Sequence, residues 1–460
     1  MFVCFKIHDG GSRTIAEHGK GAPDRAQPGE AALPHSNRPA ANYRLTLLAC
    51  YVGYFVQAVN VNLLAIIFIP LREQFGLTYA QFGTLVFVNF ITQLLVSIVF
   101  SKVIDKIGMK PFIMPALFVC MGGLVLFALT PLLFAANVYM GFMLSIFIYA
   151  GGGGLMELCL SPIVDAIPSD AIDSSKALSF LHSFYAWGQA GVVLVTTGLL
   201  YFGLPWRAIV IMWIVVPALD AVMFARAPIA ERATGDKAMP IRSLFGMRIF
   251  VLALVAIACG GAAETVIAQY ASSFLERGLG LSKMTGDILG LCGFAIFLGI
   301  GRLLYGILGD RMNIHNVLIG GSVLALAAYF VIVFTPVGTP APSVAAIALC
   351  GLFVSLMWPG TLAIASKGLP LAGVSMFALL AASGSFGCSI GPWVGGVVTD
   401  FSMRFLPQGI ALSAEQFGLR AGLMAGAVFP LASLVTQFAL KKSAAAVAAM
   451  QLLVNKFEGE

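Results

Sequence analysis

Charge is scarce in this chain. Of its 460 residues only 10% are Asp, Glu, Lys or Arg, against a hydrophobic share of 59%, far outside the globular average. A mean hydropathy of +0.93 points to lipid as the solvent and excludes an ordinary soluble enzyme. Metal-binding patterns are missing as well. The eight cysteines form no CxxC or Cys/His spacing; seven fall in apolar stretches and Cys4 in the N-terminal tail, so they read as small hydrophobes. No metal and no other cofactor is expected. A phosphate loop is also lacking, because the run Gly151–Gly154 has no Gly-Lys-Ser/Thr after it, and this argues against an ATP-driven pump. The first 43 residues hold no apolar core of a signal peptide and read as a disordered tail.

What the chain has in plenty is long apolar runs. Runs of roughly 20 apolar residues, enough to cross a bilayer, lie near 45–71, 80–101, 111–130, 136–165, 176–201, 206–226, 247–273, 286–309, 314–334, 343–366, 371–399 and 416–440. Six precede the polar stretch 227–246 and six follow it. The expected fold is an all-α membrane protein of twelve transmembrane helices in two pseudo-symmetric six-helix bundles. Residues 44–226 and 247–440 would form the bundles, 227–246 the linker, and 1–43 and 441–460 the tails. The 50 glycines suit helices that pack closely in lipid.

Two short stretches repeat. SKVIDKIGMKPFI at 101–113 and GILGDRMNIHNVL at 306–318 each set an acid directly before a base between apolar runs. REQFGLT at 72–78 returns as ERGLGLS at 276–282. The shifts, 205 and 204, agree, so the halves are related. Such a repeat is natural for an alternating-access carrier.

The basic residues set an orientation. With both termini inside, 20 of the 27 Lys and Arg lie on inside segments and six outside, with Arg302 within a span. This is a positive-inside bias, so the net charge of +6 reflects topology and not nucleic-acid binding. The chain is expected to be a multi-pass protein of the cell (inner) membrane, monomeric, surrounded by lipid, with both termini cytoplasmic.

The twelve spans, the central loop and the two Asp-basic loops resemble the major facilitator superfamily. Its loop pattern, Gly-x-x-x-Asp-Arg-x-Gly-x-Arg/Lys, appears here as Ser101, Asp105, Lys106, Gly108 and Lys110, with Ser where Gly is expected, and in the second half as Gly306, Asp310, Arg311 and Asn313. The resemblance implies that Asp105, Lys106, Gly108, Asp310 and Arg311 act as cytoplasmic gate loops. Within the superfamily, GGGGLMELCLSPIVDAIP (151–168), LSFLHSFYAWGQAG (178–191), ETVIAQYASSFLERGLGLSK (264–283) and FVSLMWPGTLAIASKGLP (353–370) resemble the fucose-permease-like sugar permeases. That likeness implies proton-coupled uptake of a sugar or similar small polar solute, with Glu157 matching the acid of the group's fourth span. The first-span acid of the group is missing, since QAVNVNLLAIIFIP (57–70) carries Asn60 and Asn62 instead. By the repeat shift, Asn60 corresponds to Glu264.

Ionisable groups within the spans are the natural place to seek function, because a charge near the bilayer centre costs roughly 3 kcal/mol or more. At 1.5 Å per residue, Glu157 lies about 12 Å in from the cytoplasmic end of its span, His182 about 9 Å and Arg302 about 12 Å. A shared depth predicts one cluster, with Arg302 as the partner of Glu157. The resemblance brings the fifth and eighth spans together, and with them His182 and Arg302. Glu264, about 25 Å in, is expected toward the outer half, in contact with substrate or proton. Asp220 reads as an end-of-helix residue near Arg226.

A sugar site needs amides for hydroxyl groups and aromatic faces for the ring. Gln57, Asn60, Asn62, Asn89, Gln93, Gln189 and Gln269, with Tyr185, Trp187, Tyr270 and Trp358, are the candidates for substrate binding. Some of these amides can equally serve as bonds between helices. Two other functions fit the same composition. One is an exporter of amphipathic compounds, whose cavity would be dominated by Phe and Met. The other is a membrane sensor that transports nothing.

Overall fold

The computed structural model describes residues 43–167, 174–229, 241–369, 373–409 and 411–458. The tail before Tyr43 and most of the 227–246 linker lie outside the described residues. The side chains of Asp105 and Asp310 do too.

Twelve helical spans are present among the described residues. In the first half they are α1 (Arg44–Phe75), α2 (Tyr79–Ile107), α3 (Lys110–Leu133), α4 (Val138–Asp165), α5 (Ser174–Tyr201) and α6, which breaks between Trp206–Met212 and Val215–Arg226. In the second half α7 (Arg248–Ser273) continues through a π-helical turn, Phe274–Gly278. α8 starts at Lys283, passes a π-helical stretch, Gly286–Cys292, and ends as Gly293–Leu308. α9 is Ile314–Phe334, and α10 is interrupted between Ala341–Val354 and Met357–Gly368. α11 is Gly373–Arg404, and α12 runs Ala414–Gly426 and Val428–Glu458. Eleven spans are long and apolar enough to cross a membrane among the described residues, and α5 is the twelfth. The protein is a multi-pass integral membrane protein, with no strand among the described residues. Helices are the open-ended solution in lipid, since each satisfies its own backbone.

Local structure repeats as the sequence does. α1 and α7 end on left-handed glycines, Gly76 (φ 67) and Gly280 (φ 76), a conformation only glycine takes cheaply. Two residues later Thr78 and Ser282 cap the next helices, accepting from the N–H of Gln81 and Thr285.

The halves meet along three seams, α1 against α7, α2 against α11 and α5 against α8. Glycines allow these contacts. A Cβ at Gly396 would lie 2.3 Å from the Tyr79 carbonyl oxygen across the α2–α11 seam; within the second half, one at Gly387 would lie 1.9 Å from the Ala258 carbonyl oxygen on α7. The phenylalanines divide between core and surface. Phe68, Phe82, Phe142, Phe250, Phe274 and Phe294 are fully buried, whereas Phe147, Phe202, Phe334 and Phe405 stand out on the apolar exterior.

Candidate substrate and proton site

A cavity lies between the halves, with 760 Å³ of space free of protein atoms, its open mouth included. This is within the usual size for a small-molecule site. The first half contributes Tyr54, Gln57, Gln93, Glu157, His182 and Tyr185. The second contributes Glu264, Thr265, Arg302, Trp358, Ser385 and Cys388. All four candidate proton-coupling residues therefore line one space.

Arg302 organises it. Its Nη2 donates to both oxygens of Glu264 at 3.0 Å, its Nη1 to the His182 carbonyl oxygen at 3.4 Å, and its Nε to the Ser355 carbonyl oxygen at 3.3 Å. The expected Glu157–Arg302 pair is not what forms; among the described residues the carboxylate on Arg302 is Glu264. Two things defeat the depth argument. α7 with its π turn is longer than the apolar run suggests, so Glu264 falls near the middle of Arg248–Gly278. Side chains also lean toward the N-terminus of their own helix, and α7 and α8 run in opposite directions, so Glu264 and Arg302 lean toward each other.

The Ser355 carbonyl is free for a reason visible in the chain. Pro359 stands four residues on and has no N–H to donate to it, and α10 breaks there. Trp358, next to that proline, lies against Gly384 of α11, where a Cβ would meet the indole at 2.2 Å.

Glu157 reaches the cavity because the glycine run before it lets α4 sit deep in its half. A Cβ at Gly152 would lie 2.5 Å from the Ala116 carbonyl oxygen of α3, one at Gly153 would lie 2.7 Å from Gln57 Oε1 of α1, and one at Gly154 would lie 2.9 Å from Gln93 Cα of α2. Among the described residues Glu157 has no ion pair. The His182 ring stands edge-on to Tyr54, centroids 5.3 Å apart, and the Tyr54 hydroxyl is 3.0 Å from Ser161 Oγ.

The amides divide into lining and scaffold. Gln57 Nε2 donates to Gln93 Oε1 (3.1 Å), Gln93 Nε2 to Asn89 Oδ1 (2.6 Å), and Asn89 Nδ2 to the Asn60 carbonyl oxygen (2.8 Å). A carbonyl only accepts, so the direction of the whole relay is set. Gln57 and Gln93 face the cavity, with Tyr185 and Trp358, while Asn60 and Asn89 stand behind them. Asn60 Nδ2 turns to Cys120 Sγ at 3.4 Å, and Asn62 Nδ2 bonds the Ala58 carbonyl oxygen and the Tyr185 hydroxyl. Gln269 crosses the α1–α7 seam to the Val61 carbonyl oxygen at 3.2 Å, and the Tyr270 hydroxyl donates to the Pro392 carbonyl oxygen at 2.9 Å. Gln189 is buried off the cavity, and Trp187 is 39% exposed on the outer surface beside Gly299. Those seven are thus outside the lining.

Residues the sequence reading passed over include Tyr54, Thr265, Ser385 and Cys388. A hydroxyl or thiol on an apolar helix carries no pattern, but Ser385 and Cys388 sit within the glycine-rich stretch 384–391. Trp206 and Trp213 are buried in the first half, their indole N–H groups donating to Gln74 (2.7 Å) and Thr196 (2.9 Å). Asp220, expected at a helix end near Arg226, is fully buried within the Val215–Arg226 segment of α6. At the loops, Gly108 closes α2 with φ 88, and Lys106 and Arg311 are exposed.

A polar cavity between two repeat-related six-helix bundles defines an alternating-access membrane transporter and not an enzyme. The chain belongs to the Major Facilitator Superfamily, whose family model matches residues 50–392. No curated protein matches it in sequence. Solved structures of similar fold include a bacterial homologue of the human lysosomal transporter Spinster in an inward-facing, unoccupied conformation (17% identity, TM-score 0.67, 87% of this chain and 97% of that one). The E.coli fucose:proton symporter FucP is similar too (19%, TM-score 0.57, 86% and 99%). So is a D-xylose-proton symporter (13%, TM-score 0.68, 85% and 97%).

Proposed function

We propose that this secondary transporter couples the uptake of a small, hydroxyl-rich solute, a sugar or a close relative, to protons. The observation that carries the reading is Glu157, a carboxylate with no ion pair among the described residues, in the same cavity as Gln57, Gln93, Tyr185 and Trp358. Amides match hydroxyl groups and aromatic faces match a sugar ring. Glu264 is neutralised by Arg302 in this state, which leaves Glu157 as the proton carrier and His182, in the same cavity, as a relay. Among the described residues the lining holds two carboxylates, an arginine and a histidine but one phenylalanine, Phe90, and no methionine, a poor match to amphipathic cargo. The fold likeness to a fucose:proton symporter and a D-xylose-proton symporter supports the same direction. The charge bias supports a cell-membrane location with both termini in the cytoplasm.

A thermal-shift screen of the purified protein against sugars, polyols, acids and nucleosides identifies the solute. In proteoliposomes, Glu157→Gln then abolishes accumulation driven by a pH gradient and leaves solute exchange intact. Full accumulation by the Gln variant under that gradient would falsify the role of Glu157.

A further inference from the structure

One face of the transporter is tied shut across the seams. It is the face where α1 turns into α2, α7 into α8 and α11 into α12. The first N–H groups of a helix have no partner within it, and α2 meets that need from two sources. Thr78 caps the N–H of Gln81, while Tyr79 and Ala80 donate to the two oxygens of Asp400, at 3.1 and 2.7 Å. Asp400 is on α11, in the other half, so one carboxylate caps the start of α2 from across the seam. An anion is well placed there. The Tyr79 hydroxyl also donates to Glu415 of α12 at 2.9 Å, and Glu415 pairs with Arg72 at 3.4 Å.

The related seam is tied at the related height. Under the repeat, α5 stands to α8 as α11 stands to α2. Thr197 and Asp400 each lie four residues before the end of their helix. The Thr197 hydroxyl donates to Asp287 Oδ2 of α8 at 2.7 Å, and Lys283, one turn back on α8, neutralises Asp287 at 3.0 Å. Asp287 is fully buried. Beside the α2 tie lies a layer of fully buried aromatic rings, Phe68, Tyr79, Phe82 and Tyr270.

We propose that the Asp400 tie to α2 and the Thr197–Asp287 tie, on repeat-related seams, are two latches that hold this face shut, and that both release when the cavity opens toward it. The ties suit reversal. Each joins a carboxylate to N–H or O–H donors on the opposite half, groups that water can satisfy once the halves part, and each lies across a seam that rigid-body rocking must open. The inference rests on alternating access and not on proton coupling.

Native Cys388 lines the cavity and serves as the reporter. Its labelling by a membrane-impermeant maleimide is followed by mass spectrometry from each side of the membrane, in intact cells and in inverted vesicles. Asp400→Asn and the near-isosteric Thr197→Val each raise the rate from the side opposite the 227–246 loop, by roughly two- to fivefold, the shift that follows from losing an anion at a helix N-terminus or a comparable bond. The double variant labels faster than either. Wild-type rates in well-folded variants, or a gain confined to the other side, overturn the proposal. Should Asp400→Asn fail to fold, Thr197→Val alone decides.

Discussion

Arg302 and Glu264 meet through one guanidinium nitrogen and both carboxylate oxygens, each at 3.0 Å. The same cation reaches α5 through His182 and α10 through Ser355, so it joins three helices of one half to a seam helix of the other. Both side chains are mostly buried, at 9% and 14% exposure. Stripping one partner from such a pair leaves an uncompensated charge, a loss of about 3–5 kcal/mol in a dry interior and less beside a wet cavity.

Arg302→Met is therefore expected to lower the unfolding temperature in detergent clearly, and Glu264→Gln to lower it less. The double variant Arg302→Met, Glu264→Gln should recover part of the loss, since it leaves neither charge stranded. Thermal unfolding of the set checks this; strictly additive losses in the double variant would show that the two groups do not act as a pair.

The glycine run offers a test with a built-in control. Nothing lies within 4 Å of a Cβ at Gly151, whereas one at Gly152 would lie 2.5 Å from a backbone carbonyl of α3. Gly151→Ala should be neutral or stabilising by up to about 1 kcal/mol, and Gly152→Ala destabilising by about 1–3 kcal/mol. Gly153→Ala would press on Gln57 Oε1, so its effect should fall on solute affinity more than on folding. Thermal unfolding and binding assays on the three variants distinguish these outcomes.

The architecture was legible because lipid demands long apolar helices and because the halves share a duplicated pattern. Gly76 and Gly280 even end their helices in the same conformation. The candidate site was legible in part. Intramembrane charge pointed to Glu157, His182, Glu264 and Arg302, and all four line the cavity. Their pairing was hidden, since it depends on helix length beyond the apolar run and on the direction in which side chains lean. The amides were hidden in another way. Asn89 and Gln93 share a helix face, yet only Gln93 reaches the cavity, because Asn89 is turned to the Asn60 carbonyl oxygen. Composition cannot separate a lining amide from one that orients it.

Topology is testable on its own. Residues 227–246 carry several of the basic residues counted as inside, so the loop is expected in the cytoplasm. A cysteine introduced as Asp236→Cys should react with an impermeant thiol reagent in inverted vesicles and stay unlabelled in intact cells. Labelling in intact cells would reverse the orientation and, with it, the side on which the latched face lies.

Pro359 gives the sharpest test of how α10 serves the site. Proline has no N–H, so the Ser355 carbonyl oxygen loses its helical partner and accepts Arg302 Nε at 3.3 Å instead. Pro359→Ala supplies the missing N–H. The helix should then close its own hydrogen bond across the break between Val354 and Met357, and Arg302 should lose one of its acceptors. Trp358, adjacent to the substitution, would also turn on its support at Gly384. Two opposing effects follow. Removing a proline from a helix interior raises the unfolding temperature, while the loss of one hydrogen bond at Arg302, about 0.5–1.5 kcal/mol, loosens the cation that shapes the cavity. The expected outcome is a more stable protein with a KM for its solute raised roughly two- to tenfold. An unchanged KM alongside greater stability would mean that the break in α10 serves packing alone, and that the Arg302–Ser355 bond has no part in solute binding.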